Sequence, residues 1–248
     1  MEIVPLGDSA LIVRVRDRFE DAPDQALTEV LRTFRRLQDA AIPGVIELAP
    51  AYTTVAVFFD PMVVANAGPK PNQALDWLTE RVRAAVAPHM RGGHGRAAAS
   101  PVRLVEIPVC YDPEFALDLE RVANHAQISS NEVVDFHSAT EYRVICIGFT
   151  PGFPYLAGLP KELATPRHAT PRKGIPAGSV GIGGAQTGIY PLCSPGGWNV
   201  IGRTPVGLFD PAKNPPAFLR AGDRVCFRAI TREEFETFPW LSVEAANH

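Results

Sequence analysis

From Ser9 to Arg16 the odd positions are apolar and the later even ones charged, a period of two that predicts a strand with one solvated face. The period then lengthens. After Asp24, a residue able to cap, Leu27, Val30, Leu31 and Phe34 recur at helical steps and predict a helix that lays one apolar stripe on a sheet. Val45 to Leu48 and Thr53 to Phe59 read as two strands joined through Pro50. A second amphipathic helix is expected after Pro71-Asn72, carrying Leu75, Leu78, Val82 and Val86. It ends near Pro88, because proline cannot continue a helix. Val102 to Val109 is then expected as the closing strand of a split βαβ, ferredoxin-like layer. Arg91 to Pro101, made of glycines and small residues with no apolar period, reads as a linker or long loop and as the domain boundary.

Beyond the linker two short helices are predicted. The second opens on the capping box Ser129-x-x-Glu132 and leads through Phe136-His137 into a strand at Tyr142 to Ile147. From there the chain breaks into short β-rich runs between glycines and prolines: Ser179 to Ile182, Gly188 to Leu192, Trp198 to Arg203 and Arg224 to Ile230. Such punctuation predicts a barrel or sandwich. A last helix is expected at a further capping box, Thr231-x-x-Glu234. The fold class expected is α+β. An N-terminal ferredoxin-like α/β domain spans 1–90, a linker 91–101 and a β-barrel domain 102–248.

Composition adds mainly exclusions. Among 248 residues, 46% are hydrophobic and 21% charged, which is ordinary for a globular chain and supplies a core. A net charge of -3 with scattered Lys and Arg gives no attraction to polyanions, so neither nucleic acid nor an anionic membrane is expected as partner. Cys110, Cys146, Cys193 and Cys226 lie far apart with no C-x-x-C pair and read as reduced, buried thiols; no metal site is expected. The first residues lack a basic and an apolar signal region and no apolar run is long enough to span a bilayer, so a cytoplasmic location is expected. There is no G-x-x-x-x-G-K-[ST] cradle, and Gly181-Ile182-Gly183-Gly184-Ala185-Gln186 fails G-x-G-x-x-G at its last position. H-E-x-x-H and G-x-S-x-G are also missing.

The positive signal is the run from His137 to Thr204, where prolines fix φ and glycines allow it to be positive, so the loops are prescribed and can hold side chains accurately. Arg167, Arg172 and Arg203 can each fork onto a carboxylate or phosphate, or simply tie loops together. His137, at a helix end, can act as a base or fill a core. Ser179, Gln186 and Thr187 can bind an amide or a phosphate, or cap turns. Tyr155, Tyr190 and Trp198 can wall a pocket for a flat ring, or form core.

These blocks together resemble a known family. Gly148-Phe149-Thr150-Pro151-Gly152-Phe153-Pro154-Tyr155-Leu156, Pro166-Arg167, Pro176-Ala177-Gly178-Ser179-Val180, Thr187-Gly188-Ile189-Tyr190-Pro191, Ser194-Pro195-Gly196-Gly197-Trp198 and Gly202-Arg203-Thr204 are similar to the KipI/PxpB family. That family includes the 5-oxoprolinase B subunits and is also labelled allophanate hydrolase subunit 1, or carboxyltransferase domain subdomain C/D. The likeness extends to Leu6-Gly7-Asp8-Ser9-Ala10, Pro108-Val109-Cys110-Tyr111-Asp112 and Gly222-Asp223-Arg224-Val225, and so covers essentially the whole chain.

The resemblance implies a cyclophilin-like barrel after the N-terminal domain. It also implies an ATP-dependent opening of 5-oxoproline to glutamate, with ATP as co-substrate together with Mg. The partners implied are a C subunit (KipA-like) and an A subunit (LamB/YcsF-like), without which the chain is expected to be inactive. Carried onto this sequence, it implies that Arg172 and Arg203 hold phosphate or the substrate carboxylate, that His137 orients or accepts a proton, and that Gln186 and Ser179 hold the lactam. Tyr155, Arg167 and Tyr190 complete the implied substrate site. His168 departs from the pattern, standing where a second arginine is expected. The competing readings are a KipI-like inhibitor that binds a histidine kinase, an allophanate hydrolase or urea amidolyase subunit, and a prolyl isomerase suggested by the fold alone.

Overall fold

The computed structural model describes residues 1–67, 73–87 and 102–238. The expected linker at 91–101 lies outside the described residues, as do Pro71-Asn72 and Pro88. Two compact units follow one another along the chain, Met1–Ser100 and Pro101–His248.

In the first unit strand β1 (Glu2–Leu6) turns through Gly7 into β2 (Ala10–Arg14); helix α1 (Pro23–Ala40), β3 (Val45–Ala51), β4 (Thr54–Phe59), α2 (Pro61–Ala67) and α3 (Ala74–Val86) follow. The sheet is antiparallel in the order β1-β2-β4-β3. The period-two pattern buries Leu11, Val13, Val55, Val57 and Phe59 on one face, where Val30 and Leu37 of α1 and Leu78, Val82 and Val86 of α3 meet them. Asp24 sits in the first turn of α1 behind Pro23 and does not cap it; Ala22 occupies the cap position without a side-chain bond. β1 and α2 carry no period long enough to announce them in the sequence.

One element belongs elsewhere than expected. The strand foreseen at Val102 to Val109 does not close the N-terminal sheet; as β5 (Leu104–Cys110) it lies in the second unit. It runs parallel to β13 (Arg224–Ile230) from the pair Arg224↔Leu104 to the pair Ile230↔Cys110. The sheet edge beside β2 is taken by β1, which the turn at Gly7 returns in register from Glu2↔Arg14 to Leu6↔Ala10. A local hairpin closes less chain than a distant strand and leaves β5 to bury its apolar positions in the barrel.

The second unit continues with α4 (Leu119–Ala126), α5 (Ser130–Ala139), β6 (Glu141–Ile147), β7 (Pro154–Ala157), β8 (Arg172–Ile175), β9 (Ser179–Gly183), β10 (Gln186–Ile189), β11 (Ser194–Gly196), β12 (Asn199–Arg203), β13 and α6 (Arg232–Thr237). Seven strands close a barrel in the order β10-β7-β6-β13-β5-β12-β9, and β8 pairs with β11 in a separate ribbon. Closure leaves no free edge among those seven strands. Val105, Ile107, Tyr142, Val144, Leu156, Ile182, Ile201 and Phe227 belong to its core. Both foreseen capping boxes are formed, at Ser129 with Glu132 and at Thr231 with Glu234. Cys110 and Cys146 are buried thiols as expected, whereas Cys193 is exposed and Cys226 intermediate. No described helix is long and apolar enough to cross a membrane.

Candidate functional site

Short strands with glycine between them let large rings approach the backbone, and the barrel uses this to build an aromatic cavity. A Cβ on Gly183 of β9 would stand 2.5 Å from the Trp198 ring, and one on Gly196 would collide with the Tyr190 hydroxyl. Over these glycines Phe153 meets Tyr155, Tyr190 and Trp198 with ring centroids 5.0, 5.2 and 5.5 Å apart. Tyr155 also meets Trp198 edge-on at 5.8 Å. A cavity of about 360 Å³ opens among Phe149, Phe153, Tyr155, Tyr190 and Trp198, with Arg167 and His168 as its polar wall. Burial raises the phenols of Tyr155 and Tyr190, partly offset by the Arg167 charge, so both stay protonated donors at neutral pH.

Arg167 lies over the Trp198 ring with its guanidinium carbon 5.4 Å from the centroid, and makes no hydrogen bond or ion pair with the described residues. Stacking holds the planar group by its face and leaves the N–H fork for an oxyanion. Tyr155, Arg167 and Tyr190 of the expected substrate site, with Trp198, are therefore brought together.

Arg172 is committed elsewhere. Its Nη1 and Nη2 donate to the two carboxylate oxygens of Asp118 at 2.7 Å each, in bidentate geometry. Asp118 is 5% exposed and also accepts from the Val200 N–H at 2.7 Å and from His168 Nε2 at 3.1 Å. Burial alone would raise its carboxyl, but the Arg172 and Val200 hydrogen bonds, with the Arg172 charge, outweigh that and hold it below the usual range. Sequence reasoning missed Asp118 because it sits directly before the apolar α4 and reads as a helix cap. It does stand at the N-cap position, but its side chain makes no capping bond.

Arg203 and Ser179 line a second, smaller hollow of about 140 Å³ with Phe115 and Leu117. Arg203 donates from Nε to the Ala177 carbonyl at 2.9 Å and packs its guanidinium at 5.8 Å from Phe115 and 5.9 Å from Phe235. Gln186 opens β10 opposite Gly183 and is not among the residues lining either hollow.

His137 departs furthest from the role expected of it. It is fully buried, stacked on Phe227 at 4.5 Å, with Nδ1 2.8 Å from the Tyr111 hydroxyl and Nε2 3.0 Å from Thr187 Oγ1. Thr187 Oγ1 donates in turn to the Gly181 carbonyl, so Nε2 carries the proton and Nδ1 accepts from Tyr111. Burial pushes the imidazole down to about 3. With both nitrogens engaged and no open face, the ring is a polar strut of the barrel interior and has no route to a substrate proton. The described residues include no group of three or more His, Cys, Asp or Glu side chains placed to hold a metal ion.

Comparison with known proteins identifies the family. Residues 1–219 match the family model for the carboxyltransferase domain, subdomain C and D. The 5-oxoprolinase B subunit of Bacillus subtilis is 42% identical over 241 residues, covering 96% of each chain. Its counterpart in Escherichia coli O157:H7 is 41% identical over 223 residues, covering 90% of this chain and 93% of that one. Among solved structures, TTHA0988 superposes with a TM-score of 0.71 at 34% identity over 89% of this chain, which spans only 40% of that longer protein. Urea carboxylase of Kluyveromyces lactis, at 19% identity, shares the fold with a TM-score of 0.66 over 94% of this chain and 22% of its own. The chain belongs to the family of the carboxyltransferase domain, subdomains C and D, in the branch that holds the 5-oxoprolinase B subunits.

Proposed function

We propose that this chain is the B subunit of an ATP-dependent 5-oxoprolinase, working with C and A partner subunits, and that the aromatic cavity of its barrel holds 5-oxoproline. The observation that carries the reading is Arg167: a guanidinium stacked on Trp198, with no hydrogen-bond partner among the described residues, in a cavity of aromatic walls. A five-membered lactam is flat enough to lie between such rings, and its carboxylate is the natural partner for the fork. The identity with B subunits across nearly the full chain supports the same reading.

The chemistry explains the need for ATP. A lactam carbonyl is a poor electrophile and its nitrogen a poor leaving group. Transfer of the γ-phosphoryl group to the lactam oxygen, with loss of ADP and of the ring N–H proton, turns that oxygen into a leaving group. One water adds at the ring carbon and the C–N bond opens, its electron pair and a proton going to nitrogen, to leave an acyl phosphate; a second water then displaces phosphate from that acyl carbon to give glutamate.

This chain's part in that sequence is to bind and orient. Arg167 holds the carboxylate, Tyr155 and Tyr190 flank the ring, and Arg203 beside Ser179 is assigned to a phosphate at the second hollow. Arg172 acts through Asp118 as a brace, and His137 as internal structure. No described residue is assigned to Mg. The test is 5-oxoproline-dependent release of ADP and glutamate by this chain alone, by each partner alone and by the mixture. Turnover in the mixture only is expected. Silence of a mixture of folded subunits would overturn the reading in favour of a regulatory binding protein.

A further inference from the structure

His168 is the second polar group in the wall of the aromatic cavity, and its orientation is fixed from behind. Its backbone N–H donates to the Gly197 carbonyl at 2.7 Å and its Nε2 lies 3.1 Å from Asp118 Oδ1, with Arg172 Nη1 3.2 Å from the same nitrogen. Every partner of the Asp118 carboxylate is a donor: both Nη groups of Arg172, the Val200 N–H and this ring nitrogen. A carboxylate so placed has no proton to give. Arg172 Nη1 is already spent on Oδ2 at 2.7 Å, so the tautomer that bonds to Oδ1 carries its hydrogen on Nε2 and leaves the lone pair on Nδ1. Nδ1 has no hydrogen-bond partner among the described residues. The cavity thus combines a cationic fork, aromatic walls and an imidazole whose Nε2 is engaged with Asp118 and whose Nδ1 is not engaged by the described residues.

We propose that His168, held by Asp118, reads the ring N–H of the substrate, so that the cavity takes small cyclic amides bearing a carboxylate and rejects their ring-oxygen counterparts. The proposal rests on the reading of this cavity as the 5-oxoproline site. A ring oxygen in place of N–H would face the Nδ1 lone pair with its own, losing one hydrogen bond and adding a repulsion. Asp118 is the positioning residue: it sets which nitrogen of the imidazole accepts.

The experiment uses the assembled enzyme and compares KM for 5-oxoproline with the inhibition constant of the corresponding γ-lactone carboxylate. The wild type is expected to favour the lactam by about 10-fold or more, the value of one well-placed hydrogen bond in a part-buried site. His168→Phe should bring the two to within about 3-fold, and His168→Asn, which returns an acceptor near the place of Nδ1, should restore most of the preference. Asp118→Asn, which can place an amide N–H against Nε2 and shift the ring proton to Nδ1, should lower or reverse the ratio. A wild-type ratio in His168→Phe, or in Asp118→Asn should the former fail to fold, overturns the proposal while leaving the substrate reading intact. Absence of saturable 5-oxoproline turnover in the wild type removes that reading and the proposal with it.

Discussion

Single side chains decide what the barrel can hold, and three arginines that look alike in sequence illustrate how. Arg167, Arg172 and Arg203 all sit beside prolines or glycines in prescribed loops and all suit an anion. Burial of a countercharge separates them. Asp118 takes both Nη groups of Arg172, the Ala177 carbonyl takes only Nε of Arg203, and Arg167 has no hydrogen-bond partner among the described residues. Removing Arg172 would strand a carboxylate that is 5% exposed, so Arg172→Ala is expected to lower stability by about 2–3 kcal/mol, read from denaturant midpoints, before any effect on chemistry is considered.

The buried imidazole makes a second residue-scale prediction. Its folded pKa is depressed from 6.5 to about 3, so below pH 6.5 the unfolded chain binds a proton that the folded chain refuses. Stability must then fall with acidification, by about 1.4 kcal/mol per pH unit between roughly pH 6 and pH 4. His137→Gln, if folded, should flatten that slope, and an unchanged slope would show that the ring is not held neutral. Asp118 adds to the loss at lower pH, because a depressed carboxyl contributes stability above its unfolded pKa and surrenders it on protonation.

At the scale of elements, legibility followed how local the determining interactions are. The capping boxes at Ser129 and Thr231 were readable because the partners lie three residues apart, and both are formed. Ser129→Ala should therefore cost about 1 kcal/mol, measurable as a drop in the unfolding midpoint of the second unit. The helical stripes of α1 and α3 were readable for the same reason. What the pattern could not give is which sheet a strand joins: β5 has the right alternation for either unit, and only pairing with β13, more than a hundred residues on, assigns it. β7, β8 and β11 are three or four residues long and fall below any periodic signal. The glycines of β9 and β11 were visible as an unusual density, yet their purpose, to let Trp198 and Tyr190 lie on the backbone, appears only in the packing. Gly183→Ala should push the indole off its seat, costing about 1–3 kcal/mol and weakening 5-oxoproline binding together.

For the whole molecule, the sequence carried the family through ordered blocks that span the chain, and comparison with the B subunits bears that out. The site was half legible. Its aromatic walls and Arg167 were singled out, whereas Asp118 was passed over and His137 was left open between a base and a core residue, because neither burial nor the partner across the fold is written in local sequence. Fold alone would not have chosen among hydrolase, isomerase and kinase inhibitor.

The central claim is that the Arg167 fork in the barrel cavity binds the substrate carboxylate, and the most direct measurement is KM for 5-oxoproline of the reconstituted enzyme carrying Arg167→Ala. Loss of one charge-assisted contact should raise KM about 10- to 100-fold with the subunits still assembled, and Arg167→Lys should recover only part of it. A KM unchanged from the wild type in an intact assembly would place the substrate outside this cavity and contradict the account.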